Sequence, residues 1–217
     1  MKILVTGFES FGGMVANPTE SLAKEVAHFD FAGATLYSAI LPVHYDECVE
    51  RIIQSIKEIG PDVIIACGLS AGRTAVTPER IGINIKDTSM LNPIPDNQGT
   101  KPQDELIDPQ GPDALFSTLP NRHIVQNLLS SGIPSHISNT AGTYICNNTL
   151  YGVLNYIREN ELKIKAGFIH FPASTELAVH RLEIPSMPYA TMVDSLKIII
   201  ETVIEELRLK TEETAYI

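Results

Sequence analysis

The chain has 217 residues, 44% of them hydrophobic, which is enough to bury a substantial core within one large domain. Its 16 basic and 26 acidic residues give a formal net charge of −10, without a long run of like charge. This composition argues against a nucleic-acid or anionic-membrane surface. No apolar run approaches the ~20 residues that a membrane-spanning helix needs. A small or weakly charged substrate suits the chain better.

The start of the chain and its cysteines indicate a reducing compartment. The opening residues Met1–Phe8 contain one lysine and lead directly into a strand-like pattern, without the apolar region or cleavage site of a signal peptide. Cys48, Cys67 and Cys146 are an odd number of cysteines without CxxC spacing, unlike a disulfide framework or a zinc ribbon. No HExxH or other metal-ligand spacing occurs. We therefore expect a cytoplasmic protein without a metal site.

Short β-branched runs alternate with longer segments of helical period, the pattern of an α/β sheet covered by helices on both faces. The predicted strands are Lys2–Thr6, Leu36–Leu41, Asp62–Cys67, Arg80–Lys86, Ser135–Ser138 and Ala166–His170. The predicted helices are Thr19–Ala27, Tyr45–Ile59, Asn121–Ser130, Asn147–Arg158 and Tyr189–Leu207. No repeat, heptad run or linker interrupts this pattern, so residues 1–217 are predicted to form a single domain.

A glycine-rich turn, Gly7–Gly13, follows the first predicted strand, where open α/β sheets commonly bind ligands. A phosphate loop would need Lys and a hydroxyl residue after its second glycine, but Gly13 and Met14 stand there. The turn instead carries Phe8 and Phe11. These two rings either complete the hydrophobic core or form an aromatic slot for a flat ring, and the sequence leaves both interpretations open.

Further along the chain, the segment between Ile85 and Pro120 is rich in Pro, Asn, Asp and Gly. A long stretch without regular structure inside a compact domain is usually functional or mobile. We interpret this stretch as a substrate-covering loop.

Three residues are candidates for nucleophilic chemistry. Cys146 falls at or just before a predicted helix N-terminus, where the helix dipole and unpaired amides would lower its pKa. His170 ends an apolar strand, a position in which α/β enzymes place catalytic groups. Glu79 stands just before another strand. Each also has a structural interpretation: a buried thiol, a lone structural histidine and a surface partner for Arg80. Spacing alone does not bring the three together.

Motifs of one known family occur in order through nearly the whole chain. They are Val5–Glu9 with Phe11–Gly13, Asn17–Thr19, Leu41–Val43, Gly68–Leu69 with Gly72–Arg73, Pro78–Arg80, Ile94–Asn97, Phe116–Pro120, Ser138–Thr143, Cys146–Asn147, Gly167–His170 and Pro185–Met187. With these motifs the chain closely resembles the pyroglutamyl-peptidase I family, also called pyrrolidone-carboxylate peptidases. So many ordered matches are far more specific than any one of them.

The resemblance implies a thiol protease of the omega-peptidase type that removes N-terminal pyroglutamate from peptides. It places the nucleophile at Cys146, the base at His170 and the orienting acid at Glu79. It implies a twisted mixed α/β sheet of the phosphorylase/hydrolase type, a homotetramer, and neither a metal nor an organic cofactor. We add the hypothesis that amides at the helix N-terminus, including that of Cys146, stabilise the oxyanion.

The resemblance also implies a substrate pocket. Its aromatic walls fall on Phe8 and Phe11, and Asn17 and the backbone of Ile94 fall beside the lactam. Two departures from the family affect its surroundings: Ser10 stands where Pro is usual, and the stretch 87–93 is longer than usual and lacks the Arg often found before the Ile. Neither touches the three proposed catalytic positions.

Two other functions compete with this one. A nucleoside phosphorylase is suggested by the similar fold type, and it would need a phosphate site built from basic residues. A catalytically inactive paralogue serving as a binding protein is the other alternative, and the retained Cys, His and Glu argue against it. An assay on a pyroglutamyl amide substrate separates the peptidase from both.

Overall fold

The computed structural model describes residues 1–14, 16–88, 91, 93–179 and 181–215, with side chains up to residue 209. Its strands are β1 (Lys2–Phe8), β2 (Thr35–Leu41), β3 (Val63–Leu69), β4 (Thr77–Pro78), β5 (Ile81–Ile83), β6 (Ala114–Phe116), β7 (Lys165–Phe171), β8 (Ala173–Ser174) and β9 (Ser186–Met187). Its α-helices are α1 (Pro18–Glu25), α2 (Glu47–Ile59), α3 (Asn121–Ser130), α4 (Ile145–Glu159), α5 (Thr175–Ala178) and α6 (Tyr189–Ala215), with a 3₁₀ turn at Val26–His28.

The centre of the fold is a five-stranded mixed sheet in the order β2-β1-β3-β7-β4. Four strands are parallel, and the short edge strand β4 runs antiparallel to β7. In the parallel part every residue of β3 is buried, as expected when helices cover both faces of a sheet. The expected α/β fold with a mixed sheet is therefore confirmed.

Two hydrophobic clusters lie on opposite faces of this sheet because successive strand residues point to opposite sides. On one face Ile65 and Ile169 pack with residues of α1, α3 and α6. On the other face Ile64 and Phe168 pack with residues of α2 and α4. The carboxyl ends of β1, β3 and β7 consequently meet at one edge, between the two helical layers. This edge carries the candidate site.

The long parallel strands and the five principal helices were predicted correctly. The predicted strands Lys2–Thr6, Leu36–Leu41, Asp62–Cys67 and Ala166–His170 correspond to β1, β2, β3 and β7 within two residues. The five predicted helices correspond to α1 to α4 and α6. Helix α6 continues beyond the predicted end at Leu207, because the polar residues that follow favour helix although they lack an apolar stripe.

The predictions for shorter elements were less accurate. Ser135–Ser138 is not a strand: it meets the chain around β4 only through the single bridges Val76–Ser135 and Glu79–Ser138. The predicted strand Arg80–Lys86 shrinks to β5, which pairs with the unpredicted β6. Strands β4, β8 and β9 and the four-residue helix α5 were also not predicted. Each of these elements is too short to show a hydrophobic period.

The predicted covering loop is more ordered than its composition suggested. It contains β6, its Glu105 bridges to Lys86, and Asn84 accepts a hydrogen bond from the Asp108 amide at 2.9 Å. Ser89, Met90 and Asn92, within the unusual stretch 87–93, lie outside the described residues. Within the described part of the chain, no helix has the length and apolar character needed to cross a membrane.

Candidate active site

The edge strand β4 brings Glu79 to His170. Thr77 stands opposite His170 in the antiparallel β4–β7 pair, and the Glu79 amide donates to the carbonyl of Phe168 at 2.8 Å. The two side chains then meet, with 2.7 Å between His170 Nδ1 and Glu79 Oε1. Both are buried, Glu79 with 0% and His170 with 3% of its surface exposed. The interpretation of Glu79 as a surface partner of Arg80 is therefore wrong.

A second donor on Glu79 is the basis for assigning the tautomer of His170. Arg73 Nη1 lies 2.6 Å from the same Oε1 atom. Because a carboxylate oxygen facing a guanidinium acts as an acceptor, we assign the proton of the His170–Glu79 hydrogen bond to Nδ1 of His170. The other ring nitrogen, Nε2, is then left as the proton acceptor. This arrangement is the one that a general base requires.

The surroundings keep His170 neutral. Burial lowers the pKa of its imidazole below the ordinary value of 6.5, the hydrogen bond and charge of Glu79 oppose this, and the charge of Arg73 lowers the pKa further. The ring of Phe168 packs against the imidazole with 4.9 Å between ring centroids. A neutral imidazole can accept a proton at neutral pH.

Cys146 is the second residue of α4, at the end of the helix that faces the sheet edge. Its sulfur lies 3.1 Å from the point where a Cβ on Gly68 would stand, and Gly68 is the residue of β3 paired with His170. The thiol therefore lies above the end of β3, beside the strand position of His170. Asn147 holds the start of α4 in place, since its side chain donates to the carbonyls of Ile83 and Ile85 at 2.8 and 2.9 Å.

The pKa of Cys146 is raised, which corrects the expectation that its place at a helix N-terminus lowers it. Burial raises the pKa of Cys146 to about 12, and the charge of Glu79 adds to the rise while that of Arg73 opposes it. Burial also raises the pKa of Cys48 to about 11 and that of Cys67 to about 12. Accessibility is what distinguishes Cys146, since it is partly exposed and the other two are buried.

The two loop phenylalanines have different surroundings. Phe8 is buried in the core cluster and packs against Phe168, with 6.3 Å between ring centroids. Phe11 is partly exposed and packs against Tyr144, also at 6.3 Å, and Tyr144 meets Tyr45 edge to face at 5.7 Å. The core interpretation thus describes Phe8 in this structure, whereas Phe11 stands at an accessible aromatic wall with Tyr144.

Asn17 shapes the aromatic loop. Its side-chain oxygen caps α1 by accepting from the Thr19 amide at 3.0 Å, and its Nδ2 donates to the carbonyl of Glu9 at 3.1 Å. Pro18 follows at the first helical position, where its missing amide proton costs nothing. Asn17 is buried, and it holds the loop against the start of the helix.

The segment 94–97 joins the aromatic loop to the nucleophile segment. Ile94 is 52% exposed, and the next carbonyl, that of Pro95, accepts from the Tyr144 hydroxyl at 2.8 Å. Asn97 Nδ2 donates to Glu9 Oε1 at 2.7 Å, which ties the segment to the loop that carries Phe8 and Phe11. The structure therefore places Ile94 in a segment that is anchored at both sides of the site.

Sequence reasoning missed the parts played by Arg73 and Tyr144. Both stand inside matched motifs or next to them, Arg73 after Gly72 and Tyr144 two residues before Cys146. Their contacts depend on chain segments far apart in sequence, so no local pattern could show them. In the part of the chain that the structure describes, no group of three or more His, Cys, Asp or Glu is placed to hold a metal ion.

Comparison with known proteins agrees with this site. The family model described as Pyroglutamyl peptidase matches residues 1–206. Pyrrolidone-carboxylate peptidase 1 of Caldanaerobacter subterraneus subsp. tengcongensis is 43% identical over 205 residues, covering 94% of this chain and 97% of that protein. The pyrrolidone-carboxylate peptidase of Pyrococcus furiosus is 40% identical over 211 residues, covering 95% of this chain and 100% of that protein.

Solved structures show the same relationship in three dimensions. A crystal structure of the pyrrolidone carboxyl peptidase from Pyrococcus furiosus, studied with its cys-free mutant, superposes with a TM-score of 0.90 at 40% identity. The match covers 95% of this chain and 100% of that one. The sequence resemblance is thereby confirmed over almost the entire length of the chain, which belongs to the pyroglutamyl peptidase family of cysteine peptidases.

Proposed function

We propose that this protein hydrolyses the amide bond that follows an N-terminal pyroglutamyl residue and releases 5-oxoproline from peptides. The catalytic part of the proposal rests on one observation. A neutral His170 is hydrogen-bonded to a buried Glu79, and the Cys146 thiol lies next to Gly68, the residue of β3 that pairs with His170. This is the nucleophile, base and orienting acid of a triad, which is recognised by geometry rather than by chain order. The names of the relatives support the substrate.

The chemistry begins from a neutral pair. His170 Nε2 removes the proton of Cys146 while the sulfur attacks the acyl carbon, because a thiol with a pKa near 12 is not a nucleophile at rest. The imidazolium then gives this proton to the leaving amine, and the C–N bond breaks to leave a thioester. His170 then deprotonates a water molecule that attacks the thioester carbon. The C–S bond breaks to release 5-oxoproline, and the imidazolium returns the proton to the sulfur of Cys146. Glu79 stabilises the imidazolium in both steps.

Two further groups act on the reacting carbonyl and the ring. The first turn of α4 has no side-chain cap, so its amides, including that of Cys146, are available to the developing oxyanion. Pyroglutamate is a neutral lactam without a free α-amine, so its site must recognise a flat ring. Phe11 supplies the accessible apolar contact in this proposal, and the buried Phe8 anchors the same loop in the core. Asn17 and the Ile94 backbone pair with the lactam amide, which discriminates against rings lacking those groups.

Domain organisation, assembly and location complete the proposal. Residues 1–217 act as one catalytic domain, and the family resemblance suggests a homotetramer. Three free cysteines fit a reducing cytoplasm. Size-exclusion chromatography with light scattering tests the assembly.

The deciding experiment is release of a fluorescent amine from a pyroglutamyl amide by wild-type protein and by Cys146→Ser. We expect turnover by the wild type, and a loss of several orders of magnitude in the variant. A wild type that cleaves a prolyl or alanyl amide equally well would refute the substrate assignment. The comparisons give no support to the nucleoside phosphorylase, which would show phosphate-dependent release of a base, or to an inactive binding protein.

A further inference from the structure

We propose that Arg73 is a positioning residue of this active site: it holds Glu79 as a buried anion and fastens that carboxylate to the segment leading to Cys146. The inference rests on the proposed roles of Glu79, His170 and Cys146. It concerns a side chain whose polar partners in the described part of the chain are Glu79, Thr77 and Thr140 rather than the reacting sulfur.

The contacts of Arg73 join its own segment to residues 77–79 and to the segment around Thr140. Nη1 lies 2.6 Å from Glu79 Oε1 and also donates to the hydroxyl of Thr77, the residue of β4 opposite His170. Nη2 donates to the carbonyl of Thr140 at 3.1 Å. Thr140 lies in the segment that leads into α4 and hence to Cys146. One planar guanidinium therefore sets the distance between the acid and the nucleophile segment.

Burial makes this contact necessary. Glu79 is fully buried, and among the described residues its second carboxylate oxygen, Oε2, has no hydrogen-bond donor. A buried carboxylate without a paired cation takes up a proton instead of remaining charged. Arg73 supplies the missing charge and leaves Nδ1 of His170 as the second donor to Oε1.

The charge of Arg73 also acts on the proton-transfer pair. The charged groups acting on His170 are Glu79 after β4 and Arg73 between β3 and β4. The same two residues act on Cys146, together with Cys48 of α2. Arg73 lowers the pKa of both His170 and Cys146. It therefore keeps the base unprotonated and makes the thiol easier to ionise.

The experiment measures kcat, KM and the pH profile of Arg73→Ala on a pyroglutamyl amide substrate. We expect kcat to fall on the order of 10²-fold, the cost of misplacing reacting groups, with KM little changed. Because the charge of Arg73 lowers the pKa of His170, its removal raises that pKa, so the acid limb of kcat/KM moves to higher pH. If the role of Arg73 were purely structural, its loss would lower kcat/KM equally at every pH and leave the acid limb at its wild-type pH.

Two rescues and one control sharpen the test. Arg73→Lys keeps the charge and should return the acid limb towards its wild-type position. Its kcat stays reduced, because an ammonium lacks the planar set of donors by which the guanidinium binds Glu79 and Thr140 together. Because Arg73 is 22% exposed, millimolar guanidinium chloride should partly restore Arg73→Ala, whereas equal sodium chloride should not. Arg80→Ala is the matched control. The Arg80 side chain donates from Nε to Asn139 Oδ1 at 2.7 Å, one residue before Thr140, and not to the Glu79 carboxylate.

The outcomes separate this inference from the proposed function. A folded Arg73→Ala with wild-type kcat and an unmoved acid limb overturns the role of Arg73, and so does an equal limb shift in Arg80→Ala. If Arg73→Ala does not fold, Arg73→Gln is compared with Arg73→Lys. If wild-type protein cleaves no pyroglutamyl amide, the proposed function fails, and NMR titration of His170 in wild type and variant still tests Arg73: an unchanged imidazole pKa refutes it.

Discussion

Replacing Glu79 with Gln should leave the fold intact and lower kcat by roughly 10³ to 10⁴-fold. An amide oxygen in the place of Oε1 can still accept from His170, but it carries no charge to stabilise the imidazolium. At the observed 2.7 Å, and with an effective dielectric constant near 20, two unit charges attract by about 6 kcal/mol. This is a ceiling, because the amide dipole recovers part of it. Losses of three to four decades correspond to about 4 to 5.5 kcal/mol.

The assay is steady-state hydrolysis of a pyroglutamyl amide, with circular dichroism as the folding control. Cys146→Ala and His170→Ala should lose more than Glu79→Gln, because they remove the nucleophile and the proton carrier. The matched control is Glu206→Gln, since Glu206 has a similar contact with His123 Nδ1 at 2.6 Å in an exposed position far from this chemistry. It should keep full activity.

The double variant Glu79→Gln/His170→Ala decides whether the two residues act as one unit. If Glu79 acts through the imidazole, its loss costs little once His170 is absent, so the combined effect falls far short of the product of the single effects. A double variant whose loss equals that product would mean that Glu79 acts independently. The triad would then have to be replaced by a Cys146–His170 dyad.

Three further predictions follow from the site. Iodoacetamide should inactivate the enzyme through Cys146 rather than the buried Cys48 or Cys67. His170→Ala should slow the labelling, because a thiol with a raised pKa needs a base. Peptide mapping that finds Cys67 modified and Cys146 unmodified in inactive protein would refute the assignment. Phe11→Ala should weaken transition-state binding by about 1 kcal/mol without loss of stability, whereas Phe8→Ala should also destabilise the fold by about 3 kcal/mol. Thermal melts measure the stability of each variant and kcat/KM measures its transition-state binding. Equal stability of the two variants would contradict their different burial. Gly68→Ala should lower both stability and kcat, because its Cβ would stand 2.5 Å from the ring of Phe168 and 3.1 Å from Cys146 Sγ; wild-type kinetics and melting would show that the site is looser than the structure has it.

The sequence predicted those parts of the fold whose residues form a long local pattern. β3 reads as an unbroken apolar run and α6 as a helical stripe, so each could be placed without knowledge of its neighbours. β4 is only two residues long, and its place is determined by pairing with β7. Strands of this length carry no period, which is why the predictions failed around residues 77–86 and 135–138.

The residues of the candidate site were likewise predictable only where a local sequence pattern marks them. Cys146 and His170 could be proposed because each stands at the end of a recognisable helix or strand, and the family resemblance named them with Glu79. The burial of Glu79 could not be seen, because it depends on contacts with β7 and Arg73 across the sheet edge. The pKa of Cys146 was misjudged for a related reason: a helix N-terminus is visible in the sequence, but the desolvation that outweighs it is a property of packing.

The double use of Asn17 affects how substrate recognition can be measured. One amide both caps α1 and holds the Glu9 carbonyl, so Asn17→Ala would cost about 1 kcal/mol of stability before any substrate is bound. A rise in KM in that variant would therefore mix a lost lactam contact with a displaced aromatic loop. Asn17→Ser keeps a capping oxygen and removes the amide donor, so comparing the melting temperatures of the two variants separates helix stability from the readout of the ring.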